Sequence, residues 1–215
     1  MLTANTTPRF YAACLASYNN GELHGAWIDA STDTDEMQEQ IDAMLRASKF
    51  PNVTVDCPEC EGAGFMGAYL ETGKGAPCLT CKASGSVPSA EEHAIHDHEG
   101  LGALGEYDSL ETIAEYMELI EDFDHIDADD LAAILADYQN PSEAAEALRH
   151  NFSGIYDRFK DYSDEAADEA ISCHTADGKA PQMLVNYFDY DAWERDLKIE
   201  MHWIYVPSGV AIFHP

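Results

Sequence analysis

Four cysteines stand in an arrangement that can chelate a metal ion. Cys57, Cys60, Cys78 and Cys81 occur in "CPECEGAGF" and "CLTCKASGS", a C-x2-C-x17-C-x2-C spacing that falls within the range of four-thiolate zinc sites. Two residues between thiols let each pair grip one ion from a tight knuckle, and Gly62, Gly64 and Gly85 supply the backbone freedom such knuckles need. An all-thiolate set makes a closed, structural Zn2+ site with no open position for a catalytic water. Cys14 and Cys173 sit in apolar surroundings and read as plain buried thiols. His93, His96 and His98 alternate along an expected strand and read as its surface histidines.

The knuckles resemble the C-x-x-C-x-G-x-G repeats of the zinc region in DnaJ-type chaperones. The first fits in full and the second reads C-x-x-C-x-x-S-G. Only two of the four repeats are present, so chaperone activity does not follow.

Catalytic motifs fare poorly. "GAGFMG" at 62–67 matches G-x-G-x-x-G but lies inside the cysteine module. "GLGALG" at 100–105 follows an expected strand and precedes an expected helix, with Glu121 near the ribose-binding distance. A phosphate there would meet Asp97, Glu99, Glu106 and Asp108, with no lysine or arginine between residues 83 and 148. No nucleophile elbow, zinc-protease helix or phosphate loop occurs, and carboxylates are too many for one acid-base pair to stand out. The chain reads as a non-enzyme.

Charge is the second signal. The formal net charge of −30 comes from 41 acids and 11 bases, and residues 91–170 hold 24 of those acids against three bases, a net of −21. Such a surface repels nucleic acid and anionic membranes and attracts cations or basic proteins. At 46% hydrophobic residues the chain can still bury real cores, so it is no disordered acidic tail. No run approaches the roughly 18 apolar residues of a membrane span, and "MLTANTTPRF" lacks a basic region followed by an apolar one. The expected location is cytoplasmic.

The elements that must position these groups read as α+β. "RFYAACLASY" and "NNGELHGAWIDA" suggest two strands joined by a turn at Asn19-Asn20-Gly21, and "STDTDEMQEQIDAMLRAS" suggests a capped helix with Met37, Ile41, Met44 and Leu45 on one stripe. "EEHAIHDHEG" reads as a further strand. From Asp108 the spacing of Leu110, Ile113, Ala114, Met117 and Ile120 predicts a helix with a capping box at Asp108 and Glu111. Further helices are expected over "ADDLAAILADY", "NPSEAAEALRHNF" with Asn140 as cap and Pro141 in first position, "SDEAADEAISC" and "DYDAWERDLK". "MHWIYVPSGVAIFHP" predicts a closing hairpin. The expected organisation is an N-terminal α+β domain over 1–105 interrupted by a zinc insert at 50–90, an acidic helical domain over 106–150, and a C-terminal α+β domain over 151–215.

B-DNA carries one negative charge per roughly 1.7 Å of axis and a helix rises about 1.5 Å per residue, so acidic helices can approach that density. In order along the chain, "RFYAACLASYNNGELHGAWIDA", "TDTDEMQEQIDAML", "EEHAIHDHEGLG" and "EYDSLETIAEYMELIE" resemble the ArdA antirestriction family of mobile genetic elements, with weaker likeness in the last third. The resemblance implies an elongated, three-domain homodimer that mimics bent duplex DNA. Such a mimic occupies the DNA-binding groove in the methyltransferase core of type I restriction-modification enzymes, without binding nucleic acid itself. Its phosphate-mimicking groups here would be Glu111, Glu115, Glu118, Glu121, Asp122, Asp124, Asp127, Asp129, Asp130, Asp157, Asp161, Asp164, Glu165, Asp168 and Glu169. Residues 50–90 depart from the family pattern as an insertion. The other reading of the same residues is a zinc-bearing acidic adaptor for a basic protein unrelated to restriction.

Overall fold

The computed structural model describes residues 7–67, 75–173 and 181–215; most of the "MLTANTTPRF" start lies outside them. The architecture is α+β, as expected. Backbone contacts divide the chain into two units. One covers residues 7–99 and 104–114, the other Gly100–Ala103 and Glu115–Pro215. The segment 106–150, expected as a domain of its own, is thus shared between them.

In the first unit β1 (Arg9–Cys14), α1 (Leu15–Asn19), β2 (Gly25–Asp29) and α2 (Thr34–Arg46) precede four short strands. These are β3 (Val53–Asp56), β4 (Phe65–Met66), β5 (Ala76–Pro77) and β6 (Ser86–Ser89), and β7 (His93–Glu99) follows. An antiparallel sheet of order β2-β1-β7 carries α2. Asp33 caps that helix by accepting from the N–H groups of Asp35 and Glu36 at 3.0 and 3.2 Å. Met37, Ile41, Met44 and Leu45 are all buried, as are Phe10 and Ile28; burying each side chain of this size contributes about 1.5–3 kcal/mol.

The strand expected through residue 18 stops at Cys14. Leu15–Asn19 coil into one helical turn, with the buried Ser17 hydroxyl 2.9 Å from that of Ser48 and the Asn20 N–H closing on the Ser17 carbonyl. β3 and β6 pair antiparallel from Val53↔Ser89 to Asp56↔Ser86. Asn52 donates its N–H to the Ser89 carbonyl (3.0 Å), and its side-chain oxygen accepts from the Glu91 N–H. The cysteine module therefore leaves and rejoins its host at neighbouring residues.

The chain continues through α3 (Leu110–Asp122), α4 (Ala128–Leu135), α5 (Pro141–Glu146) and a π-helical turn (Ala147–Asn151). β8 (Phe152–Tyr156), α6 (Phe159–Ser172), α7 (Gln182–Tyr187), α8 (Tyr190–Glu200), β9 (His202–Val206) and β10 (Gly209–Phe213) complete it. The α3 cap falls one residue later than expected: Ser109 receives the Thr112 N–H, while Asp108 accepts from Gly105 instead. Asn140 and Pro141 open α5 as expected. That helix does not reach Phe152, because the wide turn hands the chain to β8, a strand the periodicity did not suggest.

In the second unit the sheet runs β8-β10-β9. Phe159, Tyr162 and Leu197 from α6 and α8 pack on Val210 and Ile212. α4 is tied to the β9–β10 turn by Asp130, the only charged residue that is buried among the described residues, at 3% exposure. Ser208 donates its N–H (2.9 Å) and hydroxyl (2.5 Å) to the two Asp130 oxygens. Asp130→Ala removes both acceptors, which costs about 1–3 kcal/mol and should lower the melting temperature by roughly 3–10 °C. Exposed Asp129→Ala, its neighbour, should leave the melt unchanged; equal melts for the two variants would show that the tie carries no stability.

No helix among the described residues is long and apolar enough to cross a membrane.

Candidate functional site

The four cysteines converge. Cys57, Cys60, Cys78 and Cys81 are buried and their sulfurs all lie within 4.8 Å of one another. Cys57 Sγ and Cys78 Sγ are 3.8 Å apart, as are those of Cys60 and Cys81. A tetrahedron with metal–sulfur bonds of about 2.3 Å has edges of about 3.8 Å. The donor set and its spacing therefore fit a tetrahedral metal ion, and these residues can hold one. No other such group occurs among the described residues, so no histidine joins a site of this kind.

The two knuckles share most of their hydrogen bonds. Gly62 N–H donates to the Cys57 carbonyl as Ala83 N–H does to that of Cys78, and Ala63 and Ser84 do the same toward Cys60 and Cys81. Gly64 and Gly85 donate their N–H groups to the sulfurs of Cys60 and Cys81 at 3.2 and 3.3 Å. The knuckles also interlock, Cys57 N–H to the Gly85 carbonyl and Cys78 N–H to the Gly64 carbonyl, both 2.9 Å. A Cβ at Gly64 would lie 2.7 Å from the Ala83 carbonyl and one at Gly85 2.3 Å from that of Gly62, so both positions need glycine. Ala83 takes the place of Gly62 with φ +67°, which costs about 1 kcal/mol. The departure seen in the second knuckle is thus borne as backbone strain without loss of geometry.

Burial raises the thiol of Cys60 to about 12. At Cys81 burial is outweighed by the Gly85 N–H and the neighbouring sulfurs, which bring it down to about 7. A divalent cation bound there would offset the charge of four thiolates gathered in one buried set. Cys14 is buried as expected. Cys173 is exposed, because the expected inward face of α6 ends at Ile171.

The glycine motifs have structural reasons. Gly62 and Gly64 belong to the first knuckle. In the "GLGALG" loop a Cβ at Gly102 would meet the Tyr116 ring at 2.4 Å, and the Tyr116 hydroxyl donates to the Ala103 carbonyl at 3.2 Å. That loop packs on an aromatic side chain.

The carboxylates divide into three kinds. Glu111, Glu115, Glu118, Glu121, Asp124, Asp127, Asp129, Asp157, Glu165, Asp168 and Glu169 are exposed. Asp127 also caps α4 through the Asp129 N–H, Asp168 accepts from the Tyr190 hydroxyl at 2.6 Å, and the Glu111 carboxyl is held below its usual range by its own N–H and the Ser109 hydroxyl. Asp122, Asp161 and Asp164 are paired with Arg149, Arg158 and Lys160 at 2.6, 2.5 and 2.8 Å. The Arg158 guanidinium keeps the Asp161 carboxyl below its ordinary value. Asp130 is no surface group at all: it is buried on Ser208, in place of the exposure its neighbours have. Every base of residues 91–170 is thereby used within the chain. Sequence reasoning missed those three pairings and Ser208: Asp122–Arg149 and Asp130–Ser208 join residues 27 and 78 positions apart, whereas Arg158–Asp161 and Lys160–Asp164 carry the ordinary helical spacing of three and four.

The family model described as Antirestriction protein (ArdA) matches residues 10–211. The chain belongs to the ArdA family of antirestriction proteins. No curated protein matches it. The ArdA match begins in β1, ends in β10 and spans both the cysteine module and the acidic helices. An antirestriction role means that its partners are restriction enzymes.

Proposed function

We propose that this ArdA-family chain is a non-enzymatic mimic of duplex DNA that competes for the DNA-binding groove of type I restriction-modification enzymes, acting as a homodimer with one structural Zn2+ per chain. The observation that carries the reading is the set of exposed carboxylates left uncompensated once Arg149, Arg158 and Lys160 are paired off. On α3, the uncompensated Glu115, Glu118 and Glu121 occupy roughly 9 Å of helix axis. That is one carboxylate per about 4.5 Å, against 3.4 Å per phosphate on one DNA strand.

Zinc suits the four-thiolate cluster because it needs neither redox chemistry nor an open position there. The module contributes little to the field: residues 51–90 hold four acids and two lysines. It acts as a brace within the first unit.

Competition decides the matter. A labelled DNA duplex bound to a type I methyltransferase core should be displaced by this protein in a saturable, salt-sensitive manner, and excess DNA should reverse the displacement. A ternary complex of enzyme, DNA and inhibitor would overturn mimicry and favour an adaptor that binds elsewhere.

A further inference from the structure

A cleft of about 360 Å³ opens beside β8. His125 and Asp127 line it from the loop before α4, Asp130 from the first turn of that helix, and Phe152, Tyr156 and Asp157 from β8 and its end. Gly154 lies between the two aromatic residues on the strand and has no side chain to fill the gap.

Asp130 gives the cleft its chemistry. The residue is 3% exposed, and among the described residues its carboxylate accepts hydrogen bonds from Ser208 and makes no ion pair. Aspartates are almost never buried this deeply without a cationic partner. The Ser208 donors and the start of α4 offset part of the charge, but neither is a cation. Arg158, next to Asp157, donates from Nε and Nη2 to Asp161 at 3.1 and 2.5 Å. The cleft thus holds three carboxylates and the His125 ring, with neither lysine nor arginine in its lining.

We propose that this cleft receives one arginine side chain of the restriction enzyme; the inference rests on the reading of the chain as a competitor for a DNA-binding groove. A guanidinium presents five donors in a plane, enough to serve carboxylates on two sides at once, and its weakly hydrated face stacks on aromatic rings. Its apolar stem suits Phe152, Ile155 and Tyr156. A lysine ammonium is compact and strongly hydrated and would leave part of the cleft unmatched.

The test uses the full chain and two small probes, Nα-acetyl-arginine amide and Nα-acetyl-lysine amide, followed by amide chemical shifts. The arginine probe should give saturable shifts at residues 152–157 and Ser208, at least about threefold tighter than the lysine probe. Asp157→Asn should weaken this by about threefold or more. In the enzyme competition assay the same variant should cost about five- to tenfold, more than Asp168→Asn, an equally exposed acid. Shifts that do not saturate, that match for both probes, or that spread evenly along α3 and α6 would overturn the cleft. So would arginine shifts with no effect of Asp157→Asn on inhibition. Inhibition that persists without an arginine signal sinks the cleft alone and leaves the DNA-competitor reading standing. Displacement of no restriction enzyme by the wild-type chain sinks that reading and the identity of the partner with it.

Discussion

Chelation of the metal, or Cys57→Ser, is expected to unfold residues 51–90 while both three-stranded sheets stay folded. The reason lies in what holds the module together. Its hydrophobic cluster consists of the four cysteines themselves with half-buried Val87 against them, and its strands β4 and β5 are only two residues each. Such a segment has almost no apolar area to offset its conformational entropy, whereas a four-thiolate zinc site supplies about 10–16 kcal/mol of apparent binding energy at neutral pH. The protein as purified should therefore contain one zinc per chain by elemental analysis. After chelation a glutamate-specific protease should cut at exposed Glu59 and Glu61, sites the knuckle protects while the metal is bound. The helical far-ultraviolet signal should barely change, because no helix lies between β3 and β6 among the described residues. Metal-free protein whose module resists that protease would show that the thiols alone suffice.

The second large effect is on inhibition. Exposed ionic contacts are worth roughly 0.2–1 kcal/mol each, so Asp124→Asn or Asp129→Asn alone should weaken inhibition of a type I enzyme only about twofold. Neutralising Glu115, Glu118, Glu121, Asp124, Asp129, Glu165, Asp168 and Glu169 together should weaken it by roughly 250-fold, the product of eight such twofold losses. It should also flatten the salt dependence, since fewer charges meet on binding. Asp130 is left out because its loss acts through stability, and Asp127 because it caps α4. An abrupt loss at one residue is the behaviour of a catalytic group, and no loss from the eightfold variant would remove this surface from the interaction.

What could be read from the chain was whatever depends on near neighbours. The cysteine knuckles, the capped start of the helix that carries Met37, the Asn140-Pro141 helix start and the turn of the last hairpin all rest on residues within a few positions of one another. Three features escaped because their causes are distant or mutually cancelling. β8 reads "FSGIY", too short and too interrupted by Gly154 to show alternation, and it becomes a strand because β10 pairs with it. Asp129 and Asp130 look alike in sequence, yet one faces water and the other a turn brought in from residue 208. The acidic run suggested a uniform field, whereas Arg149 reaches back 27 residues to quench one of its members. In each case a tertiary neighbour supplies information the local pattern does not contain.

The way β3 and β6 leave and rejoin the first unit has a consequence for inheritance. Where Asn52 and Ser89 face each other the backbones are one strand spacing apart, about 5 Å. A graft with its ends that close places no tension on its host, and the entropic penalty of lengthening a closed loop grows by only about 0.6 kcal/mol per doubling. The sheet β2-β1-β7 takes no strand from the segment between α2 and β7, whose strands pair only with one another. Gain and loss of the cassette can therefore each occur as one genetic event, and its sequence can drift, duplicate or be exchanged while selection acts separately on the charged surface of the rest.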